Sequence, residues 1–139
     1  MSLEMFCRRP LMTISPRSSV YDACQILREK KIGCLIAQEN GKLDGILTDR
    51  DIALKVAGEG RDPRQVKVGE IMTPNPARIS VDKELHDLTA LMHALHVRRM
   101  PITDDGGKAV GIATLDDVLV MLSDEMWEMG RSVSEAVLH

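Results

Sequence analysis

Thr48 and Asp51 stand three residues apart in Gly45-Ile-Leu-Thr-Asp-Arg-Asp-Ile52, and the spacing returns 66 positions later as Thr114 and Asp117 in Gly111-Ile-Ala-Thr-Leu-Asp-Asp-Val118. In each copy an apolar run ends in Thr and an amphipathic run follows, so a strand is expected to turn directly into a helix with Thr at the N-cap. A helix start offers free backbone N–H groups and partial positive charge, which can hold a phosphate. A carboxylate one turn on can accept from both hydroxyls of a ribose diol. The same letters also spell a capping box, in which hydroxyl and carboxylate satisfy the helix's own donors and bind nothing.

The flanking sequence repeats as well. Met5-Phe-Cys-Arg-Arg-Pro-Leu-Met-Thr-Ile-Ser-Pro16 matches Glu70-Ile-Met-Thr-Pro-Asn-Pro-Ala-Arg-Ile-Ser-Val81 at an offset of 65. A helix is expected from Ser19 to about Lys31, with Val20, Ala23, Cys24, Ile26 and Leu27 as its buried stripe, and a counterpart from near Asp82 carrying Leu85, Leu88, Leu91, Met92 and Leu95. Gly33-Cys-Leu-Ile-Ala37 and Arg98-Arg-Met-Pro-Ile102 read as strands, each followed by a Gly- and Asn/Asp-containing hairpin turn. The second turn is one residue longer, which moves the offset from 65 to 66. Each half is thus a β-α-β-β-α unit. The expected class is α/β in the α+β sense, with two units packed as pseudo-twofold mates. The units are placed at 7–60 and 66–124, with a helical extension at 125–139. Pro101 falls in an apolar run, which favours an edge strand or a strand mouth facing a cleft. The final helix is expected to break at Gly130, and its surplus apolar surface to meet a second copy of the chain. Met1-Ser2-Leu3 reads as a vector-derived remnant outside the fold.

Composition narrows the function classes. Phe6, Tyr21 and Trp127 are the only aromatics, so platforms for stacking bases are missing. A net charge of −3 with both signs interspersed offers no basic face for nucleic acid or an anionic membrane. No apolar run approaches the roughly 18 residues of a membrane span. Cys7, Cys24 and Cys34 are odd in number and lack Cys-x-x-Cys spacing, which points to reduced thiols in a cytoplasmic setting.

Two β-α-β-β-α units, each with Gly-Ile-x-Thr-x-x-Asp at its last strand-to-helix turn, resemble a CBS-domain pair, also called a Bateman module. Ile71-Met-Thr-Pro74 opening the second copy and Arg98-Arg-Met-Pro-Ile102 before its hairpin strengthen the likeness. The resemblance covers residues 7–124 and implies two clefts between the units that bind AMP, ADP, ATP or S-adenosylmethionine. It places phosphate contact on Thr48 and Thr114 and ribose contact on Asp51 and Asp117. It gives adenine enclosure to Ile14, Ile79, Met100 and Pro101. Arg50 and Arg99 are the candidate phosphate cations, because a guanidinium binds phosphate bidentately. Arg98-Arg99 stands where the first copy has Gly33-Cys34, so the clefts are expected to differ and one to be filled by side chains.

The expected function is therefore a regulatory homodimer that binds an adenosine-containing ligand, reports energy or cofactor state to an unidentified partner protein and catalyses nothing. One alternative is a nucleotide-independent interaction or dimerisation module. A weaker one is a metal- or redox-responsive sensor built on His93, His96 and the cysteines, although those His lack a fixed third ligand.

Overall fold

The computed structural model describes residues 1–138. The first repeat opens with β1 (Thr13–Ile14) and α1 (Val20–Lys30), continues through β2 (Cys34–Glu39) and β3 (Lys42–Thr48), and closes with α2 (Asp49–Ile52). A π-helical turn over Ala53–Ala57 extends α2. The second repeat follows a short α3 (Val68–Ile71) and β4 (Thr73–Pro74) with β5 (Ile79–Ser80), α4 (Leu85–Leu95), β6 (Arg99–Thr103), β7 (Ala109–Thr114) and α5 (Leu115–Leu138). The sheets run β1-β2-β3-β4 and β5-β6-β7, with β1/β2 and β5/β6 parallel and the remaining pairs antiparallel.

Local signals explain most boundaries. The Ser19 hydroxyl accepts from the Asp22 N–H at 3.1 Å and starts α1, which buries Val20, Ala23 and Leu27. Lys31 and His96 end α1 and α4 in the left-handed conformation, each at φ 54°. The His96 N–H bonds back to the carbonyls of His93 and Met92, so its backbone closes a helix whatever its imidazole does. The β2–β3 hairpin turns on Asn40 (φ 54°) and Gly41 (φ 70°), the two positive values that suit a right-twisted two-residue turn.

The repeats and the packing units are out of phase. Each repeat's opening segment is a strap laid over the other unit. Val66, Val68 and Ile71 join the core of the first unit, and β4 pairs with β3. Val68 N–H donates to Ser18 O and Val20 N–H to Val66 O, both within 2.9 Å. Conversely Leu3, wholly buried, joins Leu88, Met92, Met100 and Val118 in the core of the second unit. Leu85 N–H donates to Met1 O at 2.9 Å. The expectation that residues 1–3 lie outside the fold is therefore corrected: burying a Leu side chain is worth about 1.5–3 kcal/mol.

The straps also explain the motif's glycines. A Cβ on Gly45 would sit 2.8 Å from Thr73 O, and one on Gly111 would sit 2.8 Å from Phe6 O. Any side chain there would push a strap off its sheet.

Two further expectations are corrected. Pro101 lies in β6, the central strand of its sheet, opposite Ile112. Its counterpart Ile36 donates to Met12 O on the β1 side, and Pro101 merely lacks that one bond; β5 is two residues long and begins its pairing at Ile102. Gly130 does not break α5, whose hydrogen bonds run on to Leu138. A helix-interior glycine costs only about 1 kcal/mol against Ala.

Ile36, Leu43 and Ala109 form a third core between the sheets, with Leu11, Ile46 and Ile112 packed around them. Gln38 clips the units together, its amide accepting from Ala109 N–H at 2.8 Å and donating to Ala109 O at 3.4 Å. Among the described residues no helix is long and apolar enough to cross a membrane.

Candidate functional site

The two Thr-x-x-Asp corners share a cap and differ in everything around it. At the first, Thr48 Oγ1 accepts from Asp51 N–H at 3.1 Å while Asp51 Oδ2 accepts from Thr48 N–H at 3.0 Å, a closed capping box. The second oxygen of Asp51 meets Lys55 Nζ at 3.3 Å, and Lys55 also donates to Ile71 O at 2.9 Å. The carboxylate is thus engaged on both oxygens. Arg50 is exposed and does not line the space between the units.

At the second corner Thr114 Oγ1 accepts from Asp117 N–H at 3.1 Å, but among the described residues no reciprocal bond occupies the Asp117 carboxylate. Both residues line a cleft of about 640 Å³ between the units. That volume suits a nucleoside-sized ligand. Its other wall comes from Leu11, Met12, Ile32, Cys34 and Ile36, with Phe6 contributed by the strap on the second unit. Arg9, Arg99, Asp116 and Asp124 supply charge at its edge.

Register accounts for the asymmetry. Cys34 lies opposite Thr48 across β2/β3, and Arg99 lies opposite Thr114 across β6/β7. Cys34 and Arg99 are therefore equivalent positions facing each other at the pseudo-twofold. The Arg99 guanidinium reaches to 3.5 Å from where a Cβ of Gly33 would be, beside the Asp49 carboxylate at 3.4 Å from the same point. Arg99 thus stands close to the first corner while also lining the cleft, where the small Cys34 leaves space beside it. Burial pushes the Cys34 thiol pKa up, and Asp49 and Asp117 add to this against the opposing pull of Arg99.

The residues expected to enclose the base do not line this cleft. Ile14 and Met100 are buried in separate cores, and Pro101 is fully buried too. Ile79 is 5 % exposed and borders a shallow depression of about 500 Å³ with Ser80, Lys83, His86 and Leu91, on the outer side of α4. Of the proposed residues the structure gathers Thr114, Asp117 and Arg99 into one cleft and leaves Thr48, Arg50 and Asp51 outside it. Sequence reasoning missed Cys34, Ile36, Met12 and Ile112 as walls. The usable signal was the pairing of Cys34 with Thr48 and of Arg99 with Thr114 within the repeat.

His93 and His96 stand with ring centroids 6.3 Å apart in an edge arrangement. Among the described residues no three His, Cys, Asp or Glu side chains gather as metal ligands.

Comparison with known proteins agrees with this architecture. The family described as CBS domain matches residues 3–58 and again 68–124. The chain is similar to the CBS domain-containing protein YhcV of Bacillus subtilis, 36 % identical over 108 residues, covering 78 % of this chain and 76 % of that protein. It is also similar to the uncharacterized protein MK0525 of Methanopyrus kandleri, 34 % identical over 119 residues, 85 % of this chain but only 61 % of that longer relative. Among solved structures it resembles the CBS domain pair of protein MJ0100 in complex with methylthioadenosine and S-adenosyl-L-methionine. That match has a TM-score of 0.78 at 27 % identity, and covers 90 % of this chain and 98 % of that one.

Proposed function

The chain belongs to the CBS-domain family as a tandem pair, and from that premise we propose that its open cleft binds an adenosine-containing ligand and passes that state to a partner protein. The observation that carries this reading is the unengaged Asp117 carboxylate, one helical turn past the Thr114 cap, facing apolar walls from the other unit. Asp117 would take the ribose diol, Thr114 and the start of α5 the 5′ side, and Leu11, Met12, Cys34 and Ile36 the base. Thr48 and Asp51 act as a structural corner, and Arg50 is solvated. Three free cysteines fit a reducing, cytoplasmic setting.

Signalling requires that the partner distinguish bound from unbound forms, since a ligand shifts an equilibrium only through its differential affinity for two states. Because the cleft is walled by both units, closure on a ligand would move one unit against the other and carry α5 with it.

A thermal-shift screen against AMP, ADP, ATP, S-adenosylmethionine and NAD tests this directly, because a ligand at 100 times its Kd adds about 2.7 kcal/mol. A shift that vanishes in Asp117→Ala supports the sensor. A flat panel on folded, nucleotide-free protein removes it.

One observation favours a second reading, an interaction module that ignores nucleotide. Leu119, Met126, Trp127, Met129 and Val133 of α5 are each more than half exposed. A homodimer joined along this helix would cover them, and sedimentation of wild type against Met126→Glu measures whether it does.

A further inference from the structure

We infer that the Thr114–Asp117 cleft selects an adenosine ligand whose 5′ substituent is neutral or cationic and discriminates against polyphosphates. This rests on the proposal that the cleft takes an adenosine-containing ligand, and it adds what that ligand carries beyond the ribose.

The charges at the cleft set the selection. Asp116, Asp117 and Asp124 line it against Arg9 and Arg99. Asp49 and the Arg99 head both approach the point where a Cβ of Gly33 would stand, to 3.4 and 3.5 Å, without forming an ion pair. Arg98, the remaining nearby cation, stands 3.7 Å from Asp116 with both side chains mostly in solvent. Three carboxylates thus line the cleft against two guanidiniums. At the position after the helix start where the first corner has Arg50, the open corner has Asp116. The feature that would attract phosphate is the N-terminus of α5, and its first turn already carries Asp116 and Asp117. Their charge neutralises the helix's partial positive end.

The helix face completes the picture. Asp117, Val120, Met121 and Asp124 follow the i, i+3, i+4, i+7 spacing, and all four line the cleft. Asp117 and Asp124 are thus about 10 Å apart along the axis, with two apolar side chains between them. A substituent leaving the ribose along this face meets apolar surface first and a carboxylate at its far end. That sequence suits a thioether or sulfonium chain bearing an amine and opposes a run of phosphates.

The test is calorimetric titration of the full chain with four ligands sharing one adenosine: S-adenosylmethionine, methylthioadenosine, AMP and ATP, each with Mg²⁺ chelated and again with Mg²⁺ present. The expected result is S-adenosylmethionine binding at least roughly tenfold more tightly than ATP, a gap that narrows as salt is raised. Asp116→Arg combined with Asp124→Asn should close that gap while leaving methylthioadenosine within about twofold of wild type, since that ligand has no charge to sense. Both positions are exposed, and unchanged melting would show the variant folded. ATP binding as tightly as S-adenosylmethionine or tighter, with or without Mg²⁺, overturns the charge rule alone, provided Asp117→Asn abolishes binding of both. Failure of all four ligands to bind, or their indifference to Asp117→Asn, overturns the cleft assignment itself and the selection with it.

Discussion

The corners at Asp51 and Asp117 carry the same cap at the same place in the same fold, and they spend their carboxylates differently. Asp51 returns a hydrogen bond to its own N-cap and meets Lys55. Asp117 does neither, and its i+4 neighbour is Met121, which packs toward the core and lines the cleft. Across the pseudo-twofold, Arg99 approaches Gly33 near the first corner, and the small Cys34 lines the cleft of the second. The motif alone therefore does not fix whether its carboxylate is free. Residues on the neighbouring strand and one turn further along the helix decide whether that carboxylate is engaged or left free.

The largest expected contrast comes from the glycines under the straps. Gly45→Ala and Gly111→Ala each drive a Cβ against a backbone carbonyl, and overpacking of this kind costs about 1–3 kcal/mol. Both should lower the melting temperature. Only Gly111→Ala displaces Phe6, which walls the cleft, so only that variant should also weaken ligand binding by calorimetry.

Next come the carboxylates themselves. Asp117→Ala should raise Kd by roughly 30-fold, as expected when about 2 kcal/mol of charge-assisted hydrogen bonding to a diol is lost. Its stability should stay near wild type. Asp51→Ala should do the reverse, leaving affinity unchanged and costing about 1 kcal/mol in denaturant melts through the lost cap. Equal effects on affinity from both variants would erase the distinction between the corners.

A smaller effect concerns Cys34. Its raised thiol pKa keeps it protonated at neutral pH. Alkylation should be slow there and should accelerate only as pH climbs through that raised value, above the range of a free cysteine. Asp117→Asn removes one of the charges holding the pKa up and should move the profile to lower pH, whereas Asp51→Asn should not. The smallest effect is Lys55→Met, which frees one oxygen of Asp51. The variant loses a half-exposed ammonium's pair with Asp51 and its bond to Ile71 O, so stability should fall by no more than about 1 kcal/mol and no second binding equivalent should appear.

Much of this was legible in the sequence, because the repeat carries it twice. Ser19, Thr48 and Thr114 announce helix starts through hydroxyl chemistry that acts within one turn. Asn40-Gly41 announces its hairpin through a positive φ. The difference between Gly33-Cys34 and Arg98-Arg99 already said the clefts would not match. What stayed hidden was partnership. Apolar spacing reports that Leu3 or Val68 wants burial and does not report against which core, so the straps could not be assigned to the opposite units. For the same reason Ile14, Met100 and Pro101 read as cleft walls when they are core. Pro101 misled because its missing donor faces a strand too short to ask for it.

The exchanged straps also govern the order in which the molecule can be completed. As the chain leaves the ribosome, α1, β2 and β3 emerge before Val66, Val68 and Ile71, so the first sheet waits for residues from the following repeat to seal it. The second sheet has the opposite problem. Its sealing residue, Leu3, is made first and must stay unburied until Leu88 and Met100 exist to receive it. Neither half can therefore finish folding as an early, self-sufficient domain, and contacts this distant in sequence slow the search for the native state. A nascent chain arrested at the polar connector near Gly60 should remain open to protease even though a whole sequence repeat has already been made.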